Sequence, residues 1–266
     1  MSSYPISRLF ELVRRDGPKE ALSKAQRKAA ADAALYGREI RWRIAGRRLP
    51  SEHEILKQTG NRWRCLADLV AHMACKESPA LLFSAADREG RTAAWQEAYP
   101  NSVERTLREA KQIRSLKFEL MGTTYDLREG DRAHPDWHLD VASGCHWPTD
   151  YVERIDRWMW SDRKPGDYRP LWELNRHQYF VILGKAYWLT GDESYAETCA
   201  EHLVSWTRDN PCPFGVNWYS PLEIGLRLVA WGLAWNTCAI RRAFAPSPGR
   251  CLWQALTSKR AICVST

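Results

Sequence analysis

The chain has 266 residues, 27% of them charged and 44% apolar or aromatic. That length and balance give a globular protein with a sizeable hydrophobic core and exclude a disordered or fibrous one. Lys and Arg number 39 against 32 Asp and Glu, a formal net charge of +7, which favours anionic partners. The excess reads as spread out: no block of like charge marks a nucleic-acid tail and no nucleic-acid motif stands out, so no nucleic-acid partner is expected.

The 8 cysteines form no C-x-x-C pair and have no histidine at zinc spacing, so neither a metal site nor another cofactor is expected, and they read as small buried residues. Arg8, Glu11, Arg14 and Arg15 interrupt the apolar residues of the first segment, and no secretory leader is expected; the compartment is left open. The apolar stretches Phe180 to Leu189 and Leu228 to Trp235 are too short to span a bilayer, and no membrane partner is expected.

From Ile6 to about Ile44 the chain reads as basic, Ala-rich helix broken at Gly17 and Pro18, an N-terminal arm. Residues Pro50 to Gln96 show no clean period. At Asn101 an N-cap residue is followed by Glu104 and by Val103, Leu107, Ala110 and Ile113 at helical spacing, a pattern that predicts a helix ended by Gly122. Thr123 to Pro170 is a long polar and aromatic stretch, and loops of that length carry function.

Three more helices follow. One is predicted from Leu174 to Leu189, stopped by Thr190 and Gly191; one from Asp192, with Tyr195, Cys199, Leu203 and Trp206 on a stripe, ended by Asn210 and Pro211; one from Ser220, with Pro221 at the first helical position and Glu223 closing a capping box. No strand pattern is visible. The expected class is all-α, built of paired antiparallel helices.

Among the 14 tryptophans, Trp137, Trp147, Trp172 and Trp218 lie in loops or at helix entrances, where indole faces can stack on sugar rings or wedge between helices. Polar clusters at Asp136 to Asp140, Glu173 to Gln178 and Asn217 to Ser220 sit where helix N-termini gather donors. Glu223 and Arg227 are spaced for an intrahelical ion pair.

In their order these segments resemble the N-terminal helical domain of the heparinase II/III-like polysaccharide lyases. The strings are F-E-L-M-G ending at Gly122, D-W-H-L-D-V-A-S-G-C-H-W-P from Asp136, W-E-L-N-R-H-Q from Trp172, A-Y-W-L-T-G-D from Ala186 and G-V-N-W-Y-S-P-L-E-I-G-L-R from Gly215. The resemblance covers roughly Phe118 to Asn236. It implies an incomplete α/α toroid over 101–240, preceded by the arm and a loosely matched region over 1–100 and followed in the family by a β-sandwich domain that this chain lacks. It also implies an anionic polysaccharide partner of the heparin, heparan sulfate or alginate type, cleaved by β-elimination.

The family's catalytic Asn-His pair and Tyr lie beyond the N-W-x-S-x-L-E segment, and here no His follows His202 and no Tyr follows Tyr219. No catalytic residue is therefore carried over, and the chain is expected to be inactive alone. Asn217, Trp218, Asn175, His177 and Trp137 are the expected substrate-facing residues. Residues 241–266 read as an aberrant or truncated tail, with a short helix from Leu252 to Ile262 as the alternative, and the unpaired helix faces of a partial toroid predict marginal solubility. A non-catalytic helical interaction or carbohydrate-binding module is the competing reading; the helix pair around G-D-x-x-Y has a tetratricopeptide flavour but no second copy.

Overall fold

The computed structural model describes residues 6–45, 51–66, 68–69, 72, 88–161 and 164–237. The expected tail at 241–266 and the alternative helix within it lie outside these residues. The chain divides into two compact units, 1–48 and 49–266.

The first unit is a bent pair of helices, α1 (Ile6–Asp16) and α2 (Pro18–Ala45). Gly17 joins them with a φ of +78°, a left-handed conformation that glycine adopts without steric penalty, and Pro18 opens α2, where its missing N–H is no loss. The break falls where the sequence places it. Lys24 holds Asp16 across the bend at 2.9 Å.

The second unit starts with α3 (Glu52–Gln58), which Ser51 and Glu54 cap reciprocally. Then come α4 (Arg88–Ala98), α5 (Pro100–Arg114), a hairpin of β1 (Lys117–Leu120) and β2 (Thr123–Asp126), and a long loop pinned by the two-residue pair β3 (Leu139–Asp140) and β4 (Cys145–His146). α6 (Val152–Met159), α7 (Tyr168–Asn175), α8 (Tyr179–Thr190), α9 (Ser194–Asp209), a 3-10 turn (Val216–Trp218) and α10 (Pro221–Asn236) complete it. The fold is mostly helical, as the class assignment requires.

α8 is the hub. It packs against α4, α5, α9 and α10, burying Phe180, Leu183 and Ala186 against Ala110 and Ile113 of α5, Cys199 and Trp206 of α9, and Ala234 of α10. Gly191 caps its end in the left-handed conformation, its N–H bonded to the Tyr187 carbonyl. Arg88 of α4 donates to the Trp188 and Tyr187 carbonyls, placing a cation at the negative end of the helix dipole. Gly184 lets α10 approach: a Cβ there would stand 2.2 Å from Thr237 Oγ1.

Several local expectations are corrected. α5 starts behind Tyr99 with Pro100 in its first turn, so Asn101 and Glu104 lie inside the helix and form no capping box. It stops at Arg114, and Gly122 belongs instead to a hairpin turn with Met121, both at positive φ, as two-residue hairpins require. The helix expected from Leu174 to Leu189 is two helices, because His177 takes a φ of +56° between α7 and α8. Ser220 does precede α10, but its side chain makes no capping bond, and Glu223 is engaged elsewhere.

Candidate functional site

The four-residue link from Asn175 to Gln178, the 3-10 turn, α9 and the loop around Trp137 converge beneath the start of α10. Asn175, the last residue of α7, turns inward. Its Nδ2 donates to the Leu171 and Trp137 carbonyls at 2.8 and 3.1 Å, and its Oδ1 accepts from Trp206 Nε1 at 2.6 Å and Asn217 Nδ2 at 3.0 Å. Asn217 Nδ2 also faces Asn210 Oδ1 at 2.8 Å and the Trp137 carbonyl at 3.3 Å, while its buried Oδ1 has no partner among the described residues. Trp218 Nε1 donates to the Asn210 carbonyl at 3.1 Å. Three asparagines, two indoles and the Trp137 carbonyl thus close a knot in which the loop backbone, α7, α9 and the 3-10 turn are tied to one another.

Arg227 threads underneath. Its Nε donates to the Asn175 carbonyl at 2.7 Å and its Nη2 to that of Asn217 at 3.2 Å, and the guanidinium lies 4.3 Å from the Trp206 ring centroid. Burial pulls its pKa down to about 10, with Glu223 opposing, so it stays charged at neutral pH. Glu223 does not pair with Arg227 as the four-residue spacing suggests. It takes Arg176 instead, through two bonds of 2.6 and 2.9 Å, a bidentate fork. That bond raises the Arg176 pKa further.

His177 sits in an aromatic box: stacked on Phe180 at 4.7 Å and edge-on to Trp137 and Trp206 at 5.4 and 5.5 Å. Trp231 Nε1 donates to its Nδ1 at 2.9 Å, which fixes the proton on Nε2, an atom with no partner among the described residues. Burial, aided by Arg227 and His202, holds its pKa well below the ordinary value. His202 is set the same way: Tyr179 Oη donates to Nδ1 at 2.9 Å, and Nε2 lies 3.2 Å from the Ala133 carbonyl. Burial brings its pKa to about 3 and pushes that of Tyr179 up. Both imidazoles are neutral, and in both the lone pair that could take a proton is already occupied.

The five residues expected to face substrate are therefore brought together, but four are covered. Asn175, His177 and Asn217 have no exposed surface, and Trp137 is 1% exposed, its indole N–H bonded to Ser205. Trp218 is half-buried. Trp147 is also buried, so of the four tryptophans read as possible stacking faces Trp172 and Trp218 keep some surface. Sequence reading misses Asn210 and Trp231, which carry no signal beyond their helix positions, and misses the Arg176–Glu223 pair because the partners are separated by 47 residues.

The loop is fixed at its other end by buried Asp140, which accepts from Ala142 N, Ser143 Oγ and Asp167 N, the last at the entrance to α7. Gly166 permits this, since a Cβ there would stand 2.3 Å from Asp140 Oδ2. Among the described residues no group of three or more His, Cys, Asp or Glu could hold a metal ion.

Against known families, the model of the heparinase II/III N-terminus matches residues 86–247, more than half of the chain. The chain belongs to the heparinase II/III N-terminus family. The match takes in α5, the hairpin, the pinned loop and every element of the knot. A curated heparin-sulfate lyase of Bacteroides stercoris is 39% identical over 75 residues, which are 28% of this chain and 11% of that protein. The chain thus corresponds to a small part of that relative's length. No solved structure matches.

Proposed function

We propose that this chain is the N-terminal helical portion of a polysaccharide lyase whose substrate is a uronate-containing polysaccharide of the heparin and heparan sulfate type or the alginate type. The family match across residues 86–247 carries this reading. The helices form part of an α/α toroid over 101–240, supported by the packing of α8 on α5, α9 and α10. The arm lies within 1–100 and the tail at 241–266.

β-Elimination needs a group that offsets the uronate carboxylate, so that the C5 proton becomes acidic, and a base to remove that proton. The knot suits substrate holding better than proton transfer. Trp218 contacts the sugar, and Trp137, Asn175, His177 and Asn217 hold the Trp218 segment in place from below. The buried Arg227 cation adds a favourable field for an anionic chain. Neither His177 nor His202 has a basic nitrogen to spare, so this portion binds without cleaving.

Affinity electrophoresis through gels containing heparan sulfate or alginate tests the assignment. The chain is expected to be retarded, and Trp218→Ala to lose about tenfold in affinity, the scale of one desolvated aromatic contact. Unretarded migration in both polymers overturns it.

A further inference from the structure

The first unit carries a property that a reading of evenly spread charge conceals. Residues 1–48 hold twelve Lys and Arg against five Asp and Glu, a net of +7 that equals the net charge of the whole chain, so residues 49–266 are electrically balanced. On α2, the roughly 100° turn per residue of an α-helix brings Leu22, Ala29, Ala33, Tyr36, Ile40 and Ile44 onto a single stripe about 33 Å long. All six are exposed, Leu22 by 59%, Tyr36 by 57%, Ile40 by 38% and Ile44 by 75%. The same geometry puts Lys19 and Arg41, also exposed, along one flank of that stripe, with Arg27 and Arg38 further round the helix. Trp42 lies on the opposite side and is not part of it.

We propose that α2 lies on an anionic lipid surface, its apolar stripe at the acyl boundary and the Lys and Arg flank among the headgroup phosphates. The two features together select this partner. A sulfated or uronate polymer would neutralise the charge but leave the stripe in water. A second copy would cover the stripe but set one +7 unit against another. A lipid surface of negative charge satisfies both, which is the chemistry of an interfacial helix. No described helix is long and apolar enough to cross a membrane, but that criterion does not bear on a helix lying in the interface.

Co-sedimentation of the full chain with vesicles of phosphatidylcholine, with and without phosphatidylglycerol, tests the proposal. Binding is expected with phosphatidylglycerol and not without it, weakening as salt is raised. Ile40→Asn with Ile44→Asn removes the stripe at exposed positions without changing charge and should weaken binding by about tenfold or more. Lys19→Gln and Arg41→Gln should each weaken it by about fivefold. Equal binding to both vesicle types, retention on heparin with no vesicle binding, or a dimer dispersed by the double Asn variant with no lipid binding overturns the proposal.

Discussion

Replacing Asn175 by Leu asks whether the polar knot holds this end of the domain together. The two side chains have the same number and branching of heavy atoms, so the site stays filled while four hydrogen-bond contacts vanish. The losses are unequal. Asn217 Nδ2 keeps Asn210 Oδ1, and the Trp137 carbonyl keeps Asn217 at 3.3 Å, but Trp206 Nε1 loses its acceptor. An orphaned buried donor costs ~1–3 kcal/mol, and each other bond contributes ~0.5–1.5 kcal/mol. Greater burial of apolar atoms returns part of this, leaving a net loss of about 3 kcal/mol, to be read from the urea midpoint at constant m. Trp206→Phe removes the same donor from the other side. In the double variant the two costs should therefore sum to less than their separate values, by about 1 kcal/mol or more. A loss below ~1 kcal/mol for Asn175→Leu, or strict additivity, would refute the knot as a coupled unit.

Two further outcomes follow from the same geometry. Gly184→Ala drives a Cβ into Thr237 and should lower stability by about 1–3 kcal/mol; thermal melts should show Thr237→Ala relieving part of it, and no interaction between the two would contradict the close approach of α8 and α10. Stability should also depend on pH through the buried histidines. Because folding lowers their pKa below the ordinary 6.5, the unfolded chain binds the extra protons on acidification. Their contribution is complete above that value and is lost as pH falls from it towards the folded value, about 3 for His202, at up to ~1.4 kcal/mol per pH unit for each histidine. His202→Gln, which can still accept from Tyr179 and donate to Ala133, should flatten that slope in urea titrations between neutrality and pH 5; an unchanged slope would count against a buried neutral His202.

What the sequence discloses here is local. Gly17 with Pro18, Gly191, Asn210 with Pro211, and Ser220 with Pro221 each announce a helix end through backbone chemistry, and the structure has ends at those places. The hairpin at Met121 and Gly122 is hidden because its strands are four residues each, too short for an alternating pattern to emerge. The left-handed His177 is hidden because nothing in N-R-H-Q requires it; the packing of its ring between Phe180, Trp137 and Trp206 holds it there. Trp137 and Trp147 look exposed from a loop sequence, yet that loop folds over helices and buries both. The local i,i+4 rule misleads at Glu223 because Arg176 reaches it bidentately from the link between α7 and α8, while Arg227 finds two backbone carbonyls. The five expected site residues do converge, which order along the chain suggests. Their burial is a tertiary fact that spacing cannot carry.

The most direct test incubates this 266-residue chain with heparan sulfate, heparin and alginate, following ultraviolet absorbance from the conjugated double bond that elimination leaves on the new non-reducing sugar. With retention by the polymer established in parallel, the account predicts a flat trace for all three. Steady growth of the unsaturated chromophore with any of them would contradict it, because a working acid and base would then have to lie within these residues.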